Sequence, residues 1–100
     1  MDRLELQAFL ESLLGSRNVY HKKPSDDVMK YPCIVYTLDD EYKRHANNSV
    51  FLKNTAYLIT YIDADPDSDM PDKITRLPLC RFVRPYTSDN LNHWVYRLFV

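Results

Sequence analysis

The sequence predicts an α+β fold: one mostly antiparallel sheet of about five strands with two helices packed on it, in the order α-β-β-β-α-β-β. Three observations lead there. Apolar residues recur at helical spacing near the N-terminus. Several later runs rich in β-branched and aromatic residues alternate with a period of two, and a short segment with helix-entry chemistry interrupts them. One hundred residues with 45% hydrophobic content supply one core, so residues 1–100 are expected to form a single domain.

From Asp2 to Leu14, the side chains Leu6, Phe9, Leu10, Leu13 and Leu14 share a helical face, and Gly15 just beyond supplies a left-handed cap. The short run RNVYHK is β-like, and the polar loop KPSDDVMK after it has no period. In YPCIVYTLDDEYKRH, Pro32 can only open a strand; Cys33, Val35 and Thr37 then face one way and Ile34, Tyr36 and Leu38 the other. The segment ANNS has turn chemistry and predicts a hairpin into a long arm, Val50 to Ile62. That arm places Phe51, Thr55, Tyr57, Ile59 and Tyr61 on one face and Leu52, Ala56, Leu58 and Ile62 on the other. A strand apolar on both faces is covered twice, and in so short a chain the second cover is expected to be another subunit. A helix is predicted from Asp69 to Leu77, with Ser68 as N-cap, Asp69 and Asp72 in the first turn and Arg76 near the last; Pro78 stops it. The runs LCRFVRPY and HWVYRLFV make the last two strands, with Asp89 and Asn90 suited to a tight turn and Leu91 pinning the loop to the core.

The acidic stretch DADPDSDMPDK sets Asp63, Asp65, Asp67 and Asp69 at alternate positions, as a calcium-binding EF-hand loop does. Such a loop needs Gly at its sixth position and Glu at its twelfth, where this chain has Ser68 and Ile74, and Pro66 and Pro71 stiffen the curl. Helix-entry chemistry explains the run better, and no metal is expected. His21, His45 and His93 lack zinc-motif spacing. The single glycine excludes glycine-rich phosphate loops, and no nucleophile signature surrounds any Ser, Thr or Cys. Asp89 and His93 could be drawn as an acid–base pair, but a loop of this length fixes no geometry between them. The expectation is therefore a non-enzyme with no catalytic residue and no cofactor.

Thirteen basic against fourteen acidic residues, net charge -1, lack the footprint of a general nucleic-acid binder. The run CRFVRPY has the aromatic look of an RNA-recognition strand but not its small residues, so Phe82 is expected in the core and a nucleic-acid module stands only as an alternative. Charges interrupt the N-terminal apolar pattern, so no signal peptide is expected; no run has membrane-spanning length, and Cys33 and Cys80 fit reduced core thiols. Eight tyrosines suit surfaces buried against a partner, or strands. The expected interface comprises Lys22, Lys23, Tyr42, Lys43 and Arg44 from the polar loops, and Phe51, Tyr57 and Tyr61 from the doubly apolar strand. Arg81, Arg84 and Arg97 join them if Arg81 and Arg97 sit on paired strands and form a positive stripe toward an acidic partner.

In order along the chain, SRNVYHKKP, MKYPCIVYTLDD, YLITYIDADPDSDMPDKITRLP and YTSDNLNHWVY resemble tail terminator or tail-completion proteins of long-tailed bacteriophages, similar in role to the lambda-type minor tail protein U. The likeness spans about residues 1 to 100, and DPDSDMPDK and YTSDNLNH are its most specific parts. It implies an α+β subunit of the virion, assembled in the host cytoplasm, that forms a ring, commonly a hexamer, on the last ring of the tail tube. The implied partners are other copies of itself, the tail tube protein and the neck or connector protein, with no membrane and no sequence-specific nucleic acid, although the genome would pass through the ring. A neck connector or head-completion protein of the same junction is the alternative.

Overall fold

The computed structural model describes residues 2–22, 29–39 and 56–99. Helix α1, Arg3–Leu14, starts and stops where its sequence directs. Asp2 closes a capping box: its carboxylate accepts the Glu5 N–H at 2.8 Å, and the Glu5 side chain accepts the Asp2 N–H. Gly15, at φ 79°, ends the helix in the left-handed region, its N–H donating to the Glu11 carbonyl. Leu6 and Leu10 are the residues of α1 that become fully buried.

Five strands follow in one sheet: β1, Val19–His21; β2, Cys33–Leu38; β3, Ala56–Asp63; β4, Cys80–Ser88; and β5, Leu91–Phe99. Helix α2, Met70–Thr75, lies between β3 and β4 in the chain. The spatial order is β1-β2-β3-β5-β4, with β1 parallel to β2 and every other pair antiparallel. Element order and class are those the sequence predicts. The first part of the expected long arm, Val50 to Thr55, and the ANNS turn lie outside the described residues.

Alternation divides the sheet into two faces. Val19, Ile34, Tyr36, Ile59, Tyr61, Tyr96 and Leu98 point toward the helices and pack with Leu6, Leu10, Met70 and Ile74 in the main core. Each such aliphatic side chain contributes on the order of 1.5–3 kcal/mol by leaving water. The opposite face buries Cys33, Ala56, Ile62 and Val95, and Met29 closes over Cys33 and Ile62 beside Tyr20, Val35 and Leu91. The doubly apolar character of β3 is thus real, and part of its second cover comes from the chain's own Met29.

Of the two places expected for tyrosine, strands account for most of the described ones. Tyr36, Tyr61 and Tyr96 are among the largest fully buried side chains, and each phenol finds a partner that ties a different segment to the sheet. Tyr36 donates to the Gln7 side chain on α1, Tyr96 donates to the Pro71 carbonyl on α2 at 3.0 Å, and Tyr61 donates to Asp63 while sharing a bond with Ser68 in the acidic turn.

Helix α2 and the β4–β5 hairpin differ from expectation in their boundaries. Helix α2 begins one residue later, with Asp69 at the N-cap position but making no cap bond; the Ser68 hydroxyl accepts the Met70 N–H instead. It also ends earlier, at Thr75, so it is little more than a turn and a half long. Strand β4 runs on through Ser88, because Asp89 and Asn90, at φ 55° and 63°, form a two-residue hairpin turn that lets β4 and β5 pair up to Ser88 and Leu91.

Candidate interaction surface

Strand β4 is the outermost strand on its side of the sheet, and among the described residues no strand lies beyond it. An edge strand directs alternate N–H and C=O groups away from the sheet, where another chain can take them up. Apart from half-buried Cys80, every residue of β4 is exposed. Phe82, Val83 and Tyr86 keep 48%, 44% and 42% of their surface in water, an apolar concentration uncommon for an edge. Phe82 is therefore not the core residue that the sequence suggests. Its ring touches Tyr96 edge-on at 5.4 Å, and among the described residues its other side stays open to water.

Register explains the arginines. Arg81 pairs with Arg97 across the β4–β5 ladder, and a bulge between Phe82 and Arg84 inserts Val83, so that Arg84 pairs with Val95. Without the bulge, Arg81 and Arg84 would alternate to opposite faces; with it, Arg81, Arg84 and Arg97 share the face away from the helices. Arg97 donates to the Asp39 carboxylate at 2.6 Å, and Asp39 is itself only 3% exposed. The pair thus anchors the end of β2 to β5 with a charge-assisted bond. Arg81 and Arg84 are exposed, and no described carboxylate pairs with either. The Arg84 guanidinium lies 5.5 Å from the centre of the Tyr86 ring, which in turn stacks on His93 at 4.4 Å.

Beside this stack, Ser88, Asp89, Leu91 and His93 line a cavity of about 230 Å³ together with Met29, Tyr31 and Ile62. The hairpin thus brings Asp89 and His93 to one cavity, though the His93 Nδ1 contact is with the Leu91 carbonyl at 3.1 Å. On the other side of the hairpin, Pro85 pairs with Trp94, which packs against Tyr61 at 5.5 Å.

The acidic run has a local explanation. Asp63 Oδ1 accepts the Asp65 N–H, and Asp65 Oδ1 accepts the Asp67 N–H, both at 2.9 Å, so the alternate spacing records two successive Asx turns. Its remaining oxygen engages Asp63 with Tyr61, while Asp65, Asp67, Asp69 and Asp72 stay exposed. Among the described residues, no three His, Cys, Asp or Glu side chains gather as a metal site.

The other expected interface residues separate. Lys22 is exposed at the end of β1, at φ 64°, with its N–H on the Tyr36 carbonyl. Tyr57 is half-buried against the main core, edge-on to Tyr36, and Tyr61 is 2% exposed, so its ring is committed to the core. Lys23, Tyr42, Lys43, Arg44 and Phe51 lie outside the described residues. Val83 and Tyr86 were not anticipated as surface contacts. Pro85 carried the available signal, since proline inside a strand marks an edge.

What the fold and surface define is a small mixed-sheet α+β module with one long, partly apolar, basic edge. No family model, curated protein or solved structure matches the chain.

Proposed function

We propose that the protein is a structural subunit of the head–tail junction of a long-tailed bacteriophage, forming a ring that caps the tail tube, stops its growth and presents the surface to which the head joins. The observation that carries this reading is the nine-residue edge strand Cys80–Ser88, which presents Phe82, Val83 and Tyr86 beside Arg81 and Arg84. Such an edge is a liability for a chain that stays alone and an asset for one that assembles. The resemblance of DPDSDMPDK and YTSDNLNH to tail-completion proteins supplies the setting. Chemistry is not the role we assign: the buried polar groups, Asp39 with Arg97 and the three tyrosines, serve to fasten segments together.

Electron microscopy of the purified protein, alone at high concentration and mixed with tail tubes, tests the reading. Rings, or tubes with a distinct cap and a fixed length, are expected. Density at the neck of filled heads and none on tubes would assign the protein to the connector side of the junction. Single unassociated copies on both would overturn the proposal.

A further inference from the structure

Resting on that reading, we infer that the outer edge of β4 seats a second copy of this chain, joined head to tail, with the second copy's acidic turn, Asp65 to Asp69, lying against Arg81 and Arg84 of the first. The two charged patches are complementary and cannot meet within one molecule. Arg81 and Arg84 project from the face away from the helices, whereas the acidic turn leads from β3 into α2, on the helix side. Along the strand, the turn sits at the hairpin end of the sheet, where the Asn92 side chain reaches the Ala64 carbonyl. Arg81 and Arg84 lie seven and four residues back from Ser88, separations of roughly 23 and 13 Å at strand rise. A molecule with opposite charges on two such separated surfaces satisfies both only through neighbours, and a repeated contact between unlike surfaces builds a ring where the rotation closes.

A symmetric arrangement is disfavoured by the same residues. If β4 paired antiparallel with β4 of another copy about a two-fold axis near mid-strand, a register centred on Arg84 would set Arg84 against Arg84, and one centred between Phe82 and Val83 would set Arg81 against Arg84. Like charges directly opposite destabilise a strand pair. At the other edge of the sheet, β1 is three residues long and followed by Lys22, so it offers neither length nor negative charge to β4. The acidic turn is preformed by its Asx bonds, so little ordering is required when it docks. Tyr86, on the same face as the arginines, and the bulged Val83 give the contact its apolar centre, and the charges give it direction.

Charge exchange tests the contact on the full chain, without phage. Arg81→Glu with Arg84→Glu, and separately Asp67→Lys with Asp69→Lys, which leave both Asx bonds of the turn in place, should each weaken self-association in sedimentation equilibrium by about tenfold or more. All four substitutions together should restore it, and so should an equimolar mixture of the two double variants, since each then offers the other a matched surface. Circular dichroism and melting should stay close to wild type, because every substituted side chain is exposed. Undiminished association in either double variant, no rescue in the fourfold variant, or a wild-type chain that remains monomeric at the highest concentration reached would overturn the inference. Association that follows the charge pattern in a protein that never caps tails would leave the inference standing and sink the functional reading alone.

Discussion

At the scale of single residues, tyrosine shows how far side-chain type underdetermines role. The sequence displays eight tyrosines, most of them in β-like runs, and nothing in alternation separates Tyr61, which disappears into the core, from Tyr86, which remains exposed. The difference arises from strand order: Tyr61 is on β3 in mid-sheet beneath the acidic turn, while Tyr86 is on the edge. Losing the Tyr61 hydroxyl in Tyr61→Phe should cost about 1 kcal/mol in urea unfolding. Ser68→Ala should cost a similar amount, about 1 kcal/mol, because the hydroxyl both receives the first N–H of α2 and meets Tyr61. The double variant should cost less than the sum, since the two share one bond. Additive losses would show that they act separately. The Asx turns make a sharper statement about the acidic run: adding calcium or a chelator should leave the melting temperature unchanged, because a ligand that bound only the folded chain would raise it.

Elements whose signals are local were legible, and those defined by neighbours were not. Helix α1 carries its start in the Asp2–Glu5 capping box and its stop in Gly15, a few residues of sequence each, and it forms as expected. Helix α2 has a serine and two aspartates competing for its first turn, and which one caps depends on Tyr61 already holding Ser68. The bulge at Val83 has no sequence signature at all, although it alone puts Arg84 beside Arg81. At the ends of α1 the energetics are simple. Asp2→Ala should cost about 1 kcal/mol through the lost cap, and Gly15→Ala should cost about 1 kcal/mol through strain at positive φ, even though an added methyl meets no other atom. The two sites lie at opposite ends of the helix, so the costs should add to about 2 kcal/mol in the double variant. A Gly15→Ala chain as stable as wild type would remove the conformational account of that cap.

For the molecule as a whole, fold class and element order could be read from the pattern, but sheet order could not. That β1 joins parallel to β2, and that β5 rather than β4 lies beside β3, are pairings between separate segments, which alternation within a run does not encode. Burial also sets a pH response for the whole domain. It is the main cause that raises the Cys33 thiol from 9.0 to about 11, and it likewise raises the Cys80 thiol and the Tyr61 and Tyr96 hydroxyls. An acid whose folded pKa is raised stays neutral in the fold at a pH where the unfolded chain ionises. Its stabilising contribution is therefore complete below the unfolded value and is lost as pH rises through the folded one. For Cys33 that window runs from 9.0 to about 11. The urea midpoint should be higher at pH 8 than at pH 11, and a midpoint that rose over that interval would contradict the burial of these groups. Below the window Cys33 should resist thiol reagents until the chain unfolds, whereas half-buried Cys80 should react first.

Trp94 is the only tryptophan of the chain, and it sits between Tyr61 on one side and Pro85 of the open edge on the other. Optically, that makes the protein its own sensor. Light absorbed by the tyrosines passes to a single indole by resonance transfer, so one emission band collects energy from the whole sheet and reports it one strand away from the surface where a neighbour would dock. A partner laid along β4 changes the polarity around that indole while leaving the tyrosine antenna in place, and unfolding disperses both. Occupancy of the edge and loss of the fold therefore differ in colour, with no label attached.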